Sequence, residues 1–126
     1  MAMSVRLLLV ALLLSGLTVG SAAQSAPAGA KPALFAVLFR TGPKWDAAKP
    51  PNGQAFFREH SANLARLRQS GLIQMGARYS DVGLIVVSAQ AEAAVRAEID
   101  RDPAVANGTF VYELSPFNVF YEGCLR

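Results

Sequence analysis

One histidine, His60, stands in a chain of 126 residues that also carries nine carboxylates and a single cysteine, Cys124. One imidazole and one thiol cannot assemble a zinc site, so neither a metal nor any other cofactor is expected. No serine-nucleophile elbow, phosphate loop or dinucleotide fingerprint occurs either. What His60 can do is move a proton near neutral pH, and its setting decides whether that capacity is used. With Phe56 as origin and about 100° per residue, Leu64, Leu67 and Gly71 gather on one helical face, and His60 falls near 40°, in the middle of that apolar stripe. A buried imidazole left without partners costs about 1–3 kcal/mol for each bare ring nitrogen. A carboxylate or carbonyl must therefore meet it, and Asp81, in a turn that the chain order carries toward the helix flank, is the candidate. Such a pair holds the tautomer and raises the basicity of the ring. The alternative is a satisfied core histidine beside an aspartate that only forms a turn. Arg78, just before that turn, Gln74 on the same side of its strand, and Arg40 at the end of the first strand are the groups able to meet an anionic or aromatic ligand. For the two arginines the alternative is a solvated strand end.

Elements must position these residues, and the sequence supplies them. Ala33–Arg40 (ALFAVLFR) is a continuous apolar run, the pattern of a strand covered on both sides. Thr41–Pro51, with three prolines and a glycine, is a loop carrying Trp45, either a ligand lid or a cover for the core edge. Asn52 can cap the helix that follows, and Gly71 can take the left-handed turn that ends it. Leu72–Tyr79 alternates as a strand, Ser80–Gly83 is a turn, and Leu84–Ser88 completes a hairpin. Ala89–Arg101 is a second helix, which Pro103 terminates. Thr109–Leu114 is the last strand, and Pro116 interrupts it before an aromatic tail. The order β-α-β-β-α-β specifies an α+β, ferredoxin-like fold, a four-stranded antiparallel sheet with both helices on one face. Its other face calls for a cover. A second copy of the same sheet gives a homodimer with a barrel-like interior, a dimeric α+β barrel.

The first 23 residues read as a signal peptide rather than as fold. Arg6 precedes the apolar stretch Leu7–Val19, which falls short of the roughly 20 residues a spanning helix needs, and small residues Ser21 and Ala23 stand where signal peptidase reads. Export with cleavage is expected, to the periplasm or beyond, leaving no stable membrane anchor. Residues 24–32 form an Ala/Gly/Pro/Ser-rich tether, 33–121 one domain, and 122–126 a tail. Cys124 has no partner for an intrachain disulfide. The net charge of +3 comes from scattered Lys and Arg, so nucleic acid is not an expected partner.

Taken together, ALFAVLFR, His60 in the first helix, GLIQMGARYSDVGLIVV and DPAVANGTFVYELSPF resemble the YCII-related (YciI-like) family over about residues 33–120. The resemblance implies a dimeric α+β barrel and a histidine–aspartate active site, which maps to His60 and to Asp81 in the turn between the second and third strands. The family usually writes Gly-Pro where this chain has Gly76-Ala77. An alternative alignment on Leu64–Leu67 puts Asn63 at the histidine position, which makes Asn63 a further ligand-binding candidate. The expected function is cofactor-independent acid/base catalysis of lyase or isomerase type on a small anionic or aromatic metabolite. The competing reading is a non-catalytic ligand-binding or structural dimeric module of the cell envelope.

Overall fold

The computed structural model describes residue 29 and residues 31–123. The expected leader, most of the tether and the end of the tail with Cys124 lie outside the described residues. Four strands, β1 (Ala33–Thr41), β2 (Ile73–Tyr79), β3 (Val82–Ala89) and β4 (Phe110–Pro116), form one antiparallel sheet in the order β2-β3-β1-β4. Helices α1 (Phe57–Gln69), α2 (Glu92–Asp100) and the short α3 (Pro103–Asn107) complete an α+β fold of the ferredoxin-like kind. Among the described residues no helix is long and apolar enough to cross a membrane.

β1 is apolar throughout because it is a central strand, yet its two faces differ. Phe35, Val37 and Phe39 point to the helices and are buried, while Leu34, Ala36 and Leu38 on the open face are only half-buried. Facing them from β3 are Val87 and Ile85 on the inner side and Ser88, Val86 and Leu84 on the outer. Leu67 of α1 and Val95 and Ile99 of α2 close the core over Phe35, Val37 and Ile85. Each such side chain, fully withdrawn from water, contributes about 1.5–3 kcal/mol. The tail also does part of the covering: Phe117 N–H donates to the Leu34 carbonyl at 2.9 Å, and Phe117, Val119 and Tyr121 border a crevice over Leu34, Met75 and Val86.

Several local outcomes differ from expectation: Val82, Gly83 and Ala89 join β3 and Pro116 ends β4, each through its pairing with a neighbouring strand, and three larger differences have their own physical reasons. α1 starts at Phe57 rather than after Asn52, which instead sits in a 3₁₀ turn (Pro51–Gly53) and makes no capping bond. The chain enters the helix through Phe56 in the left-handed conformation (φ 60°), a turn that sends Gln54 inward. A β-bulge between Ile73 and Met75 breaks the strict alternation of β2, so that Ile73 lies on the helix side with Gly76 and Arg78, opposite Met75, Ala77 and Tyr79. Pro103, read as a terminator, opens α3 as well: it occupies the first helical turn, where its missing N–H costs nothing, and Asp102 caps it. Gly71 does end α1, at φ 80°, with Leu72 N–H on the Leu67 carbonyl and Gly71 N–H on that of Arg68.

Candidate functional site

α1 crosses the β2–β3 end of the sheet, and between them opens a cavity of about 390 Å³. Its walls are Phe39 of β1, Phe57, His60, Ser61 and Leu64 of α1, Ile85 of β3, Phe110 of β4 and Trp45 from the loop after β1. Thr41, Arg78 and Asp81 add polar groups. The imidazole of His60 is buried between two aromatic rings, with Phe39 edge-on at 5.1 Å and Phe110 tilted at 4.8 Å between ring centres. Trp45 lies tilted against the same Phe110, 5.5 Å between ring centres, so it both covers the core edge and faces the cavity.

The loop bearing Trp45 is fastened from within. Gln54 is buried, accepts the Asp46 backbone N–H at 2.8 Å, and donates its amide to the carbonyls of Asp46 (2.7 Å) and Lys49 (3.0 Å). At its other end the loop is annealed to the start of β4, with Gly42 N–H on Thr109 O at 2.8 Å and Lys44 N–H on Gly108 O at 3.0 Å. A Cβ on Gly42 would stand 2.3 Å from the Gly108 carbonyl oxygen, so only glycine permits this approach.

The partner of His60 is Asp102, not Asp81. His60 Nδ1 lies 3.0 Å from Asp102 Oδ2, and Asn63 donates its Nδ2 to the same oxygen at 2.8 Å. The other oxygen, Oδ1, accepts the backbone N–H groups of Ala104 (3.0 Å) and Val105 (3.4 Å) as the N-cap of α3. Asp102 is fully buried. Burial by itself raises its carboxyl pKa, but the hydrogen bonds from His60 and Asn63, the charge on the imidazole and the Ala104 N–H outweigh burial and hold it below the ordinary carboxylate value. A carboxylate met by four N–H groups is an acceptor only. The hydrogen between it and the ring therefore sits on Nδ1, and in the neutral ring Nε2 keeps a free lone pair. Among the described residues Nε2 has no partner, while every buried side-chain nitrogen and oxygen has one; Nε2 is accordingly open to the cavity.

Of the residues singled out from sequence, the structure brings His60, Arg78 and Asp81 to one cavity. Asp81 lines it from the β2–β3 turn but makes no hydrogen bond with His60, because α3 packs beside α1 and presents its capping carboxylate first. Arg78 makes no ion pair among the described residues. Arg40 points away: alternation along β1 turns Phe39 to the cavity and Arg40 to the open face, where its Nε meets Glu113 Oε1 at 3.1 Å. Gln74, displaced by the bulge, donates to the Gly71 carbonyl at the end of α1. Asn63 does not line the cavity, since its side chain is spent on Asp102. Both candidates for the histidine position of the resemblance, His60 and Asn63, thus converge on one oxygen. Asp102 was missed, although an Asp directly before a Pro that can open a helix is a readable capping signal. Among the described residues no cluster of His, Cys, Asp and Glu could hold a metal ion.

The fold and site together define an α+β protein with a buried, carboxylate-held imidazole facing an aromatic cavity. No protein-family model, curated protein or solved structure matches the chain.

Proposed function

We propose that the protein is a YciI-like, cofactor-independent acid/base catalyst of lyase or isomerase type, acting on a small anionic or aromatic metabolite. One observation carries the reading: the only imidazole of the chain has Nδ1 fixed by a buried, ionised carboxylate while Nε2 faces a cavity. In that arrangement Nε2 takes a proton from a carbon next to a carbonyl or carboxylate, and Asp102 steadies the imidazolium that results. The rings of Phe39, Phe57, Phe110 and Trp45 accept the apolar body of the ligand. Arg78, free of an ion pair among the described residues, faces negative charge as it develops on an enolate or carboxylate. The His60 imidazolium then returns the proton to the neighbouring carbon or to the leaving group, and Asp81, on the same rim, orients the ligand by accepting a hydrogen bond from it.

Proton exchange in D₂O tests this. A panel of small aromatic and aliphatic carboxylic acids with acidic C–H bonds is incubated with the protein and followed by NMR, alongside quenching of Trp45, the single tryptophan, as the binding readout. Catalysis requires that His60→Gln keep binding but lose exchange by roughly 100-fold or more. Binding that survives in both proteins with no exchange in either supports instead a ligand-binding module, the second reading that an aromatic cavity of this size favours.

Two further proposals belong to the same reading. A second copy covers the open sheet face, where Leu38, Ala77 and Leu84 line up with the exposed Met75, Tyr79 and Val111. The leader directs export, placing the domain in the bacterial envelope or outside the cell.

A further inference from the structure

Asp102 Oδ2 serves two donors, His60 and Asn63, and the second of them is itself held from outside the site. Arg66 donates to Asn63 Oδ1 through Nη2 at 2.9 Å and Nε at 3.3 Å, and the same Nη2 is 2.9 Å from Glu98 Oε2 on α2. The orientation of the Asn63 amide is thereby determined. Turned over, its carbonyl would face a carboxylate and its NH₂ a guanidinium, two repulsive contacts in place of two attractive ones. Residues 60, 63 and 66 lie on one side of α1 at helical spacing, so the chain Glu98–Arg66–Asn63–Asp102–His60 runs without a break from the surface to the cavity.

Resting on the reading of His60 as the proton-moving group, we infer that Asn63 is a positioning residue that sets how tightly Asp102 holds the imidazole, and that Arg66 sets Asn63. The physics is competition at one oxygen. The amide N–H draws charge density from Oδ2 and leaves the His60 Nδ1–H with a weaker acceptor than an unshared carboxylate would offer. The guanidinium, by polarising the amide through its carbonyl, makes that N–H a stronger donor and increases the draw. The hold on the imidazole that faces the cavity is thus adjusted by a residue that does not line it, and trimmed by an arginine whose side chain is 58% exposed.

Because the chain has one histidine, ring-¹⁵N labelling of the full-length protein yields a single imidazole spectrum. The wild type is expected to show the Nδ1–H form with Nε2 unprotonated in the neutral ring. Asn63→Ala is expected to move the Nδ1–H proton downfield as its bond to Oδ2 tightens. Arg66→Gln moves it the same way by less, Arg66→Lys, which keeps a donor on the Asn63 carbonyl, returns it toward wild type, and Arg58→Gln on the same helix leaves it in place. Should Asn63→Ala fail to fold, the Arg66 pair carries the test, since that side chain is on the surface. An Nδ1–H proton that stays put in the Asn63 and Arg66 variants overturns this inference and leaves the His60–Asp102 pair standing. A wild-type ring protonated on Nε2 instead overturns both.

Discussion

Replacing Asp102 by Asn changes one atom and nothing in shape, yet it removes the charge on which four N–H groups converge. The amide keeps one oxygen, enough for the α3 cap bonds from Ala104 and Val105. Its NH₂ then faces the His60 Nδ1–H and the Asn63 NH₂, donor against donor. His60 can recover one bond by moving its proton to Nε2; Asn63 can recover none without turning against Arg66. Two charge-assisted bonds of about 1.5–3 kcal/mol each are lost and one neutral bond of about 1 kcal/mol regained, a net cost of roughly 2–5 kcal/mol at pH 7. In a domain of this size that is a fall in melting temperature of about 10 °C or more. The pH dependence follows from the depressed carboxyl of Asp102. A group whose folded pKa lies below its unfolded one stabilises above the unfolded value, about 3.9 for Asp, and loses that contribution as pH drops through the folded value. The gap between wild type and Asp102→Asn should therefore be full at pH 7 and 5 and narrow below about pH 4. Urea unfolding followed by Trp45 fluorescence at several pH values measures it. A deficit under about 1 kcal/mol at pH 7, or one that persists unchanged to pH 3, would refute the claim that this carboxylate is ionised and fully engaged.

Gln54→Ala removes three hydrogen bonds to the Trp45 loop, and limited proteolysis should show cleavage between Pro43 and Pro50 at least tenfold faster, the cavity losing its fixed wall. Two glycines separate sterics from strain: Gly42→Ala must displace the Gly108 carbonyl and should cost about 2 kcal/mol or more with a change in Trp45 emission, whereas Gly71→Ala meets no atom within 4 Å and should cost only about 1 kcal/mol by denaturation, from its positive φ. Leu38→Asp on the open face should convert the protein to a monomer by light scattering while its far-UV spectrum stays that of the wild type; a wild type that is itself monomeric at micromolar concentration ends the dimer proposal.

The order of strands and helices could be read from sequence because each signal acts over a few residues. The unbroken apolar run of β1, the helical spacing of α1 and its exit at Gly71, and the turn expected at Ser80–Gly83, which tightens to Ser80–Asp81 as Val82 and Gly83 pair with β2, are local rules, and the four strands and two longer helices follow the expected chain order, with α3 added. What local rules do not carry is which face a strand residue takes after an irregularity. One extra residue between Ile73 and Met75 shifts the face of Ile73, and with it the placement of Gln74, and no pattern of alternation announces it. The placement of His60 in the apolar stripe was likewise correct for a local reason, whereas its partner was a question of tertiary contact.

That question had an answer in the sequence, though of a different kind. A buried imidazole and a buried capping carboxylate each have unmet demands: the ring needs an acceptor for Nδ1–H, and a capping Asp with Oδ1 engaged by α3 has a second oxygen to satisfy. Asp81 had no such demand, since a turn residue on a rim is satisfied by water. Pairing the two groups that cannot be left bare, rather than the two nearest in the expected topology, would have selected Asp102. The same reasoning explains why Asp81 and Arg78 are left over. Neither is consumed by the fold, both face the cavity that His60 faces, and polar groups that the protein does not satisfy internally are the ones free to meet a ligand.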